Sequence, residues 1–198
     1  PYFAEEGDFS SAGSVRLNYV DRLDKALVQT TLGSFGHWRS LAAASRPMGD
    51  GHLLGATEMT FHNGPWRVGD ALRKFSGFLR YSEGTDRDGF ALTAMAYTNT
   101  WTSTDQVPLR AVQSGLINRY GSLDPTDGGN AGRFSLSGRW SRFDEASASR
   151  IEAYAIRSSL NLWNNFTYFI DNPVNGDQFR QNDQRTLVGF NASHSFFG

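Results

Sequence analysis

Side chains along most of the chain alternate between apolar and polar residues with a period of two, the pattern of a β-strand with two different faces. The longest such run covers residues 154–170. Its even positions are mostly apolar, as at Ile156 and Leu160, while its odd positions include Arg157 and Asn161. Strands of soluble proteins are usually about 5–6 residues long. The pattern therefore predicts an unusually long strand whose even positions form its apolar face.

The same alternation recurs along the rest of the chain and predicts eight strands after residue 25. These are residues 26–32, 37–46, 53–62, 74–82, 90–101, 133–143, 154–170 and 185–197. After an opening tight turn at residues 33–36, short and long connections alternate. The short ones are 47–51, 84–89 and 144–147, and the long ones are 63–73, 102–132 and 172–183. Weak helical spacing predicts a short helix at residues 108–117, within the longest connection.

Short and long connections in alternation, and strands with one apolar and one polar face, are typical of a β-barrel that crosses an outer membrane. Such a barrel has short periplasmic turns and longer external loops. In lipid every backbone amide must be paired, so only helices or closed sheets can span. A mean hydropathy of −0.46 excludes spanning helices. Several aromatic residues fall near predicted strand ends, where a barrel carries aromatic girdles: Phe90, Phe134, Trp140, Phe166 and Tyr168. We therefore predict an all-β fold, an antiparallel transmembrane β-barrel portion of about eight strands.

Composition narrows the possible functions. Aromatic residues make up 14% of the chain, which is too many for a disordered segment. The net charge of −1 argues against a nucleic-acid binder, which would carry a basic excess. The absence of cysteine excludes disulfides, thiol nucleophiles and cysteine-bound zinc. We find no Ser-His-Asp arrangement and no phosphate-binding glycine loop, so we expect neither enzymatic activity nor a cofactor.

The first fifteen residues, PYFAEEGDFSSAGSV, resemble the end of the plug domain in TonB-dependent outer-membrane receptors, and residues 32–36 (LGSFG) resemble that family's first tight external turn. The resemblance implies that residues 1–24 are the end of the plug and its connection, and that residues 25–198 are the first eight strands of an incomplete barrel. A plugged transporter barrel has 22 strands. The implied partners are outer-membrane lipid, an inner-membrane energising complex and a small-molecule or chelate substrate.

Charged side chains on the predicted polar faces are candidates for the interior wall of the barrel. Glu58 and His62 stand four residues apart on one strand, with Thr60 between them on the same face. Because no third ligand accompanies them, we interpret the pair as wall residues rather than a metal site. Arg133, Arg139 and Arg157 are predicted to form an Arg–carboxylate lattice in the wall or against the plug. The alternative role for these arginines is attraction of an anionic substrate such as a ferric chelate.

The long connections supply a second set of candidates, for capture of substrate from outside the cell. Aromatic and arginine side chains dominate binding hot spots, and the candidate substrate-binding residues are Trp66, Arg67, Trp101, Arg119 and Tyr120. Residues 124–130 (DPTDGGN) faintly resemble a calcium loop. Their acidic spacing does not fit the EF-hand pattern, so a polar loop tip is the better interpretation.

Three functional interpretations remain open from the sequence. The first is energised uptake of a scarce solute, such as an iron–siderophore, a vitamin or an oligosaccharide, by a receptor in the bacterial outer membrane. The second is a complete small barrel of eight strands with a passive, structural or adhesive role. The third is a soluble carbohydrate-binding β-sandwich, which aromatic-rich loops and low hydropathy would also suit.

Overall fold

The computed structural model describes residues 18–103 and 105–197, which form eight strands and one short helix. The strands are β1 (Leu27–Leu32), β2 (Trp38–Met48), β3 (Gly51–His62), β4 (Leu72–Gly84), β5 (Gly89–Thr102), β6 (Gly128–Phe143), β7 (Ser147–Asn164) and β8 (Phe179–Phe196). The helix α1 (Leu109–Gln113) lies inside the predicted range but is shorter than predicted. The segment that resembles the end of a plug, residues 1–15, lies outside the described residues.

Each strand pairs antiparallel with the next strand in the sequence, and together they form one sheet in the order β1 to β8. This confirms the all-β class and the strand count. The described strands β1 and β8 form the two edges and do not pair with each other, so the sheet is open and not a closed barrel. Among the described residues, no helix has the length and apolar character needed to cross a membrane.

Connections of different length lie at opposite ends of the strands, because neighbouring strands run antiparallel. The short turns, residues 49–50, 85–88 and 144–146, lie at one end, which we call the turn edge. The longer connections, residues 63–71, 103–127 and 165–178, lie at the other end, the loop edge, together with the tight turn of residues 33–37. In the last short turn, Asp144 Oδ1 accepts hydrogen bonds from the backbone N–H groups of Ala146 (2.9 Å) and Ser147 (2.7 Å). These bonds hold the pKa of Asp144 below its usual value.

The register divides the side chains of the sheet into two faces, which we call the apolar face and the polar face. On the apolar face, one row of directly opposite residues crosses seven strands and contains no polar side chain: Ala44, Gly55, Leu79, Ala94, Leu136, Ala155 and Val188. Leu79 and Leu136 are each 50% exposed. The same face carries pairs of tilted aromatic rings near both ends of the strands, Trp38 with Phe61 and Tyr81 with Phe90.

On the polar face, the segment that precedes β1 lies across the sheet. Its Tyr19 ring stands 5.3 Å from the ring of Phe78, and the backbone N–H of Leu23 donates to Ser45 Oγ at 2.8 Å. Within the described residues no second sheet packs on either face. The soluble β-sandwich, which needs two stacked sheets, therefore has no support in this architecture.

Strand β7 differs from its prediction in both its bounds and its faces. It begins at Ser147 and ends at Asn164, so Phe166, Tyr168 and Ile170 lie in a loop rather than in the strand. Its odd positions from Ile151 to Ala155 belong to the apolar face, and the even positions of the strand belong to the polar face. The predicted faces were therefore reversed, because the chemical alternation changes sign half-way along the strand, near residue 156.

Candidate functional site

The polar face is held together by ion pairs between strands. Glu58 on β3 accepts from Arg39 Nε on β2 at 2.9 Å, and its other oxygen lies 2.7 Å from Lys74 Nζ on β4. The Glu58 carboxylate is thus paired with one cationic side chain from each neighbouring strand. His62 lies on the same face at the loop edge, where its ring meets that of His37 edge to face, with centroids 5.5 Å apart. Within the described part of the chain, no cluster of three or more metal-ligating residues forms.

The arginines predicted as wall residues divide between the two faces. Arg133 and Arg139 lie on the polar face with Glu58 and His62, and Arg139 Nη1 lies 2.5 Å from Asp86 Oδ1. Arg157 lies on the opposite, apolar face, contrary to the prediction from its strand. It is paired on that face, donating to Thr186 Oγ1 at 2.9 Å and Gln184 Oε1 at 3.1 Å.

Four of the five predicted substrate-binding residues meet at the loop edge. The backbone N–H of Arg67 donates to the carbonyl oxygen of Tyr120 at 2.9 Å, which joins loop 63–71 to loop 103–127. The Trp66 and Tyr120 rings have centroids 6.2 Å apart, and the Arg119 guanidinium lies 5.3 Å from the Tyr120 ring centroid. An arginine stacked on an aromatic ring presents a planar cation and apolar surface together, a combination suited to anionic or aromatic solutes.

Trp101 is positioned differently from the other four residues. It belongs to strand β5 rather than to a loop, and it stands opposite Gly129 of β6 on the polar face. A Cβ atom at Gly129 would lie 2.7 Å from the Trp101 ring, so the missing side chain makes room for the indole.

A cluster of polar side chains at the loop edge was not predicted from the sequence. Loops 103–127 and 165–178 meet there through Asp105, Asp124, Asp127, Asn165 and Gln178. Asn165 donates its backbone N–H to Asp105 Oδ2 at 3.0 Å and its side-chain amide to Asp124 Oδ2 at 2.8 Å. The side-chain amide of Gln178 donates to Asp127 Oδ1 at 3.0 Å. Sequence separations of 41 to 60 residues between these partners explain why no local pattern indicated the cluster.

Ionisation within this cluster is uneven. Asp127 is only 2% exposed, and burial, together with the neighbouring carboxyl of Asp105, raises its pKa to about 7. Burial also acts on Asp124, but hydrogen bonds from Asn165 and Thr126 outweigh it and lower the pKa of that carboxyl. Burial and the three carboxylates together raise the pKa of Tyr168. The cluster therefore holds one carboxyl whose charge changes near neutral pH.

An apolar cleft of about 490 Å³ adjoins the cluster, between helix α1 and loop 165–178. Residues from both long loops line it, among them Ala111, Leu116, Leu123, Tyr168 and Ile170. Because the two loops form its opposite sides, the width of the cleft depends on how closely they are held together.

Comparison of the chain with protein-family models, with curated proteins and with solved structures gives no match.

Proposed function

We propose that this chain is part of a TonB-dependent receptor in the bacterial outer membrane, where its sheet forms part of the barrel wall. The receptor would take up a scarce solute, such as an iron–siderophore, a vitamin or an oligosaccharide, and an inner-membrane complex would supply the energy. In this role the chain binds and admits its substrate without catalysing a reaction. The open edges of β1 and β8 would pair with further strands of the barrel.

The observation that carries this proposal is the contrast between the two faces of one unlayered sheet. Exposed Leu79, Leu136 and Val188 form a continuous apolar row, while ion pairs occupy the other face. A single sheet with a broad exposed apolar face would aggregate in water, whereas acyl chains would cover it in a bilayer. A barrel wall needs this arrangement, with apolar side chains towards lipid and polar ones towards the interior.

The loop edge supports the receptor part of the proposal. All the longer connections lie at this edge, which corresponds to the external side of an outer-membrane barrel. Trp66, Arg67, Arg119 and Tyr120 lie together there and offer cationic and aromatic surface to an incoming anionic chelate. The alternative of a complete eight-stranded barrel has less support, because such a barrel would require β1 to pair with β8.

Adjacent residues on opposite faces provide a sharp test of membrane orientation. The chain has no cysteine, so Leu136→Cys and Ser135→Cys each introduce a unique site for a nitroxide spin label. In bacterial outer membranes, we expect the label at residue 136 to collide mainly with dissolved oxygen, which concentrates in lipid. The label at residue 135 should collide mainly with a water-soluble nickel chelate. Equal exposure of both labels to the nickel chelate would contradict a lipid-facing sheet.

Uptake by intact cells tests the transport role. Cells that make the protein with its natural flanking sequence are given a ferric chelate labelled with radioactive iron, with or without the inner-membrane energising complex. We expect accumulation only when the complex is present, and less accumulation in the Arg67→Ala and Arg119→Ala double variant. Accumulation that does not change on removal of the complex would contradict the proposal.

A further inference from the structure

The apolar face does not stay apolar as far as the loop edge. On β7 the residues of this face are apolar from Ile151 to Ala155 and polar from Arg157 to Asn161. On β8 the change falls in the same rows, since Val188 lies opposite Ala155 and Thr186 lies opposite Arg157. The two strands therefore share one boundary, beyond which the face is polar.

The polar residues beyond this boundary are joined by hydrogen bonds across three strands. Asn161 on β7 donates its side-chain amide to Asn130 Oδ1 on β6 at 3.1 Å, and its own Oδ1 accepts from Asn182 Nδ2 on β8 at 2.6 Å. Arg180 on β8 donates to the same Oδ1. We call this surface the amide–arginine patch, and its members are Asn130, Arg157, Asn161, Arg180, Asn182 and Gln184.

The patch carries positive charge without a balancing carboxylate. Within the described part of the chain, the exposed guanidinium groups of Arg157 and Arg180 donate to neutral side-chain oxygens and form no ion pair. On the polar face of the same strands, Arg139, Arg150 and Arg185 are each paired with a carboxylate. An exposed arginine with no carboxylate beside it is available to an external anion, which it can bind with two parallel hydrogen bonds.

The position of the patch corresponds to the end of the lipid-facing band. On β6 the apolar residues of this face run from Phe134 to Trp140, a length of about 20 Å at roughly 3.4 Å per residue. The apolar band of an outer-membrane barrel is of similar height. Arg157 lies opposite Phe134, the last aromatic residue of this run towards the loop edge. The patch therefore begins where acyl chains would end and lipid headgroups would begin.

The height of the patch indicates which kind of headgroup fits it. From Arg157 to Trp163, which lies opposite Arg180, the strand continues for about 20 Å, or about 15 Å along the membrane normal at a tilt of about 40°. A phospholipid headgroup region is only about 5–8 Å thick in each leaflet. A headgroup built from several sugars is needed to cover the whole patch.

We propose that the amide–arginine patch binds the phosphorylated saccharide headgroup of a lipid in the outer leaflet. Arg157 and Arg180 bind its phosphate groups, for which the guanidinium geometry is suited. The amide groups of Asn130, Asn182 and Gln184 both donate and accept, as sugar hydroxyls require. The acyl chains of this lipid lie on the apolar row below. This inference rests on the proposed membrane location of the apolar face, but not on what the receptor transports.

Native mass spectrometry can count the lipid molecules that the protein retains. The protein, made in the outer membrane with its natural flanking sequence, is purified in a non-ionic detergent and titrated with lipopolysaccharide as the probe. The double variant Arg157→Gln and Arg180→Gln removes both charges, and we expect its affinity for the probe to fall at least about tenfold. Equal affinities of the parent protein and the double variant would overturn the proposal.

Arg185→Gln is the matched control for this experiment. It removes an arginine from the same strand β8, but one that lies on the polar face and is paired with Asp183. We expect this variant to bind the probe as tightly as the parent protein. A loss equal to that of the double variant would show that the effect is not specific to the patch, and would also overturn the proposal.

Two further probes separate the parts of the headgroup. Phosphatidylglycerol offers a phosphate without a saccharide, and lipopolysaccharide treated with a phosphatase offers the saccharide with fewer phosphates. We expect the parent protein to bind both more weakly than intact lipopolysaccharide. Equally tight binding of phosphatidylglycerol would make the patch a site for anionic phospholipid and overturn the saccharide assignment. If no lipid were retained, the patch would be a solvated surface and the proposal would be wrong.

Salt tests the unsubstituted protein and so does not depend on the folding of a variant. An increase from about 0.1 M to about 1 M salt shortens the screening length from about 10 Å to about 3 Å. We therefore expect weaker retention of lipopolysaccharide at the higher salt concentration. Retention that does not change with salt would overturn the role assigned to the two arginines.

The spin labels at residues 135 and 136 distinguish a failure of this inference from a failure of the proposed function. If the label at residue 136 faces lipid while the double variant binds lipopolysaccharide as the parent does, the patch assignment alone is wrong. If both labels are equally exposed to the nickel chelate, the apolar face does not lie in the membrane. The proposed function and this inference would then both be wrong.

Discussion

Arg80 and Asp21 are 59 residues apart in the sequence and form an ion pair across the polar face, with Arg80 Nη2 2.7 Å from Asp21 Oδ1. Arg80 is only 6% exposed and also donates to Thr93 Oγ1 on the neighbouring strand. The pair fastens the segment before β1 to the middle of the sheet. A buried guanidinium without its partner would be costly, so this contact also fixes the position of the segment.

Asp21→Ala should loosen that segment and destabilise the sheet. Because Asp21 is partly exposed and water can replace some of its contacts, we expect a loss of about 1–3 kcal/mol in the free energy of unfolding. Urea titration in lipid vesicles measures this change. Asp24→Ala removes an exposed acid from the same segment and is the matched control, with an expected change below about 0.5 kcal/mol. Equal losses in the two variants would show that the ion pair does not hold the segment.

Leu136→Arg tests the apolar face by placing a charge in the middle of its continuous row. If that face contacts acyl chains, the substitution should cost about 2–4 kcal/mol near the bilayer midplane. Ser135→Arg places the same side chain one residue away on the polar face and should cost distinctly less. Urea midpoints of both variants in lipid vesicles give the comparison. A larger loss for Ser135→Arg would reverse the proposed orientation.

A double-mutant cycle of Arg39 and Glu58 measures how strongly the ion pairs of the polar face hold neighbouring strands. Glu58 is largely shielded and also contacts Lys74, so we expect a coupling energy of about 1–2 kcal/mol from single and double alanine variants. The Asp183–Arg185 pair on β8 is mostly exposed. It should couple by less than about 0.5 kcal/mol. Similar coupling energies in the two pairs would mean that shielding from water does not strengthen the ion pair.

The sequence predicted the number of strands, their order of turns and loops, and most strand bounds, because these depend on local alternation and turn residues. It did not predict the faces of β7, where alternation changes sign near residue 156. The face of Ile156 is defined by its two interstrand partners. These are Ser135 on β6 and Leu187 on β8, which are distant from it in the chain. The carboxyl cluster was missed for the same reason, since Asp105 and Asn165 are 60 residues apart. Long-range register is the information that local patterns lack.

Gly129→Ala tests whether the close approach of strands at the loop edge requires glycine. A Cβ atom at this position would lie 2.6 Å from the backbone carbonyl oxygen of Asn161 and 2.7 Å from the Trp101 ring. Because the backbone of β7 cannot move as easily as a flexible side chain, we expect a loss of about 1–3 kcal/mol in the free energy of unfolding. The fluorescence of Trp101 should also shift as its ring is displaced.

Gly55→Ala on β3 is the matched control for this substitution. A Cβ atom at Gly55 would meet only Leu79 Cδ1, at an ordinary contact distance of 3.8 Å. Alanine in a strand restricts the unfolded chain more than glycine does, so this variant should be neutral or more stable by up to about 1 kcal/mol. A destabilisation of Gly55→Ala as large as that of Gly129→Ala would mean that any side chain is harmful at these positions. The destabilisation of Gly129→Ala could then not be attributed to the space that Trp101 needs.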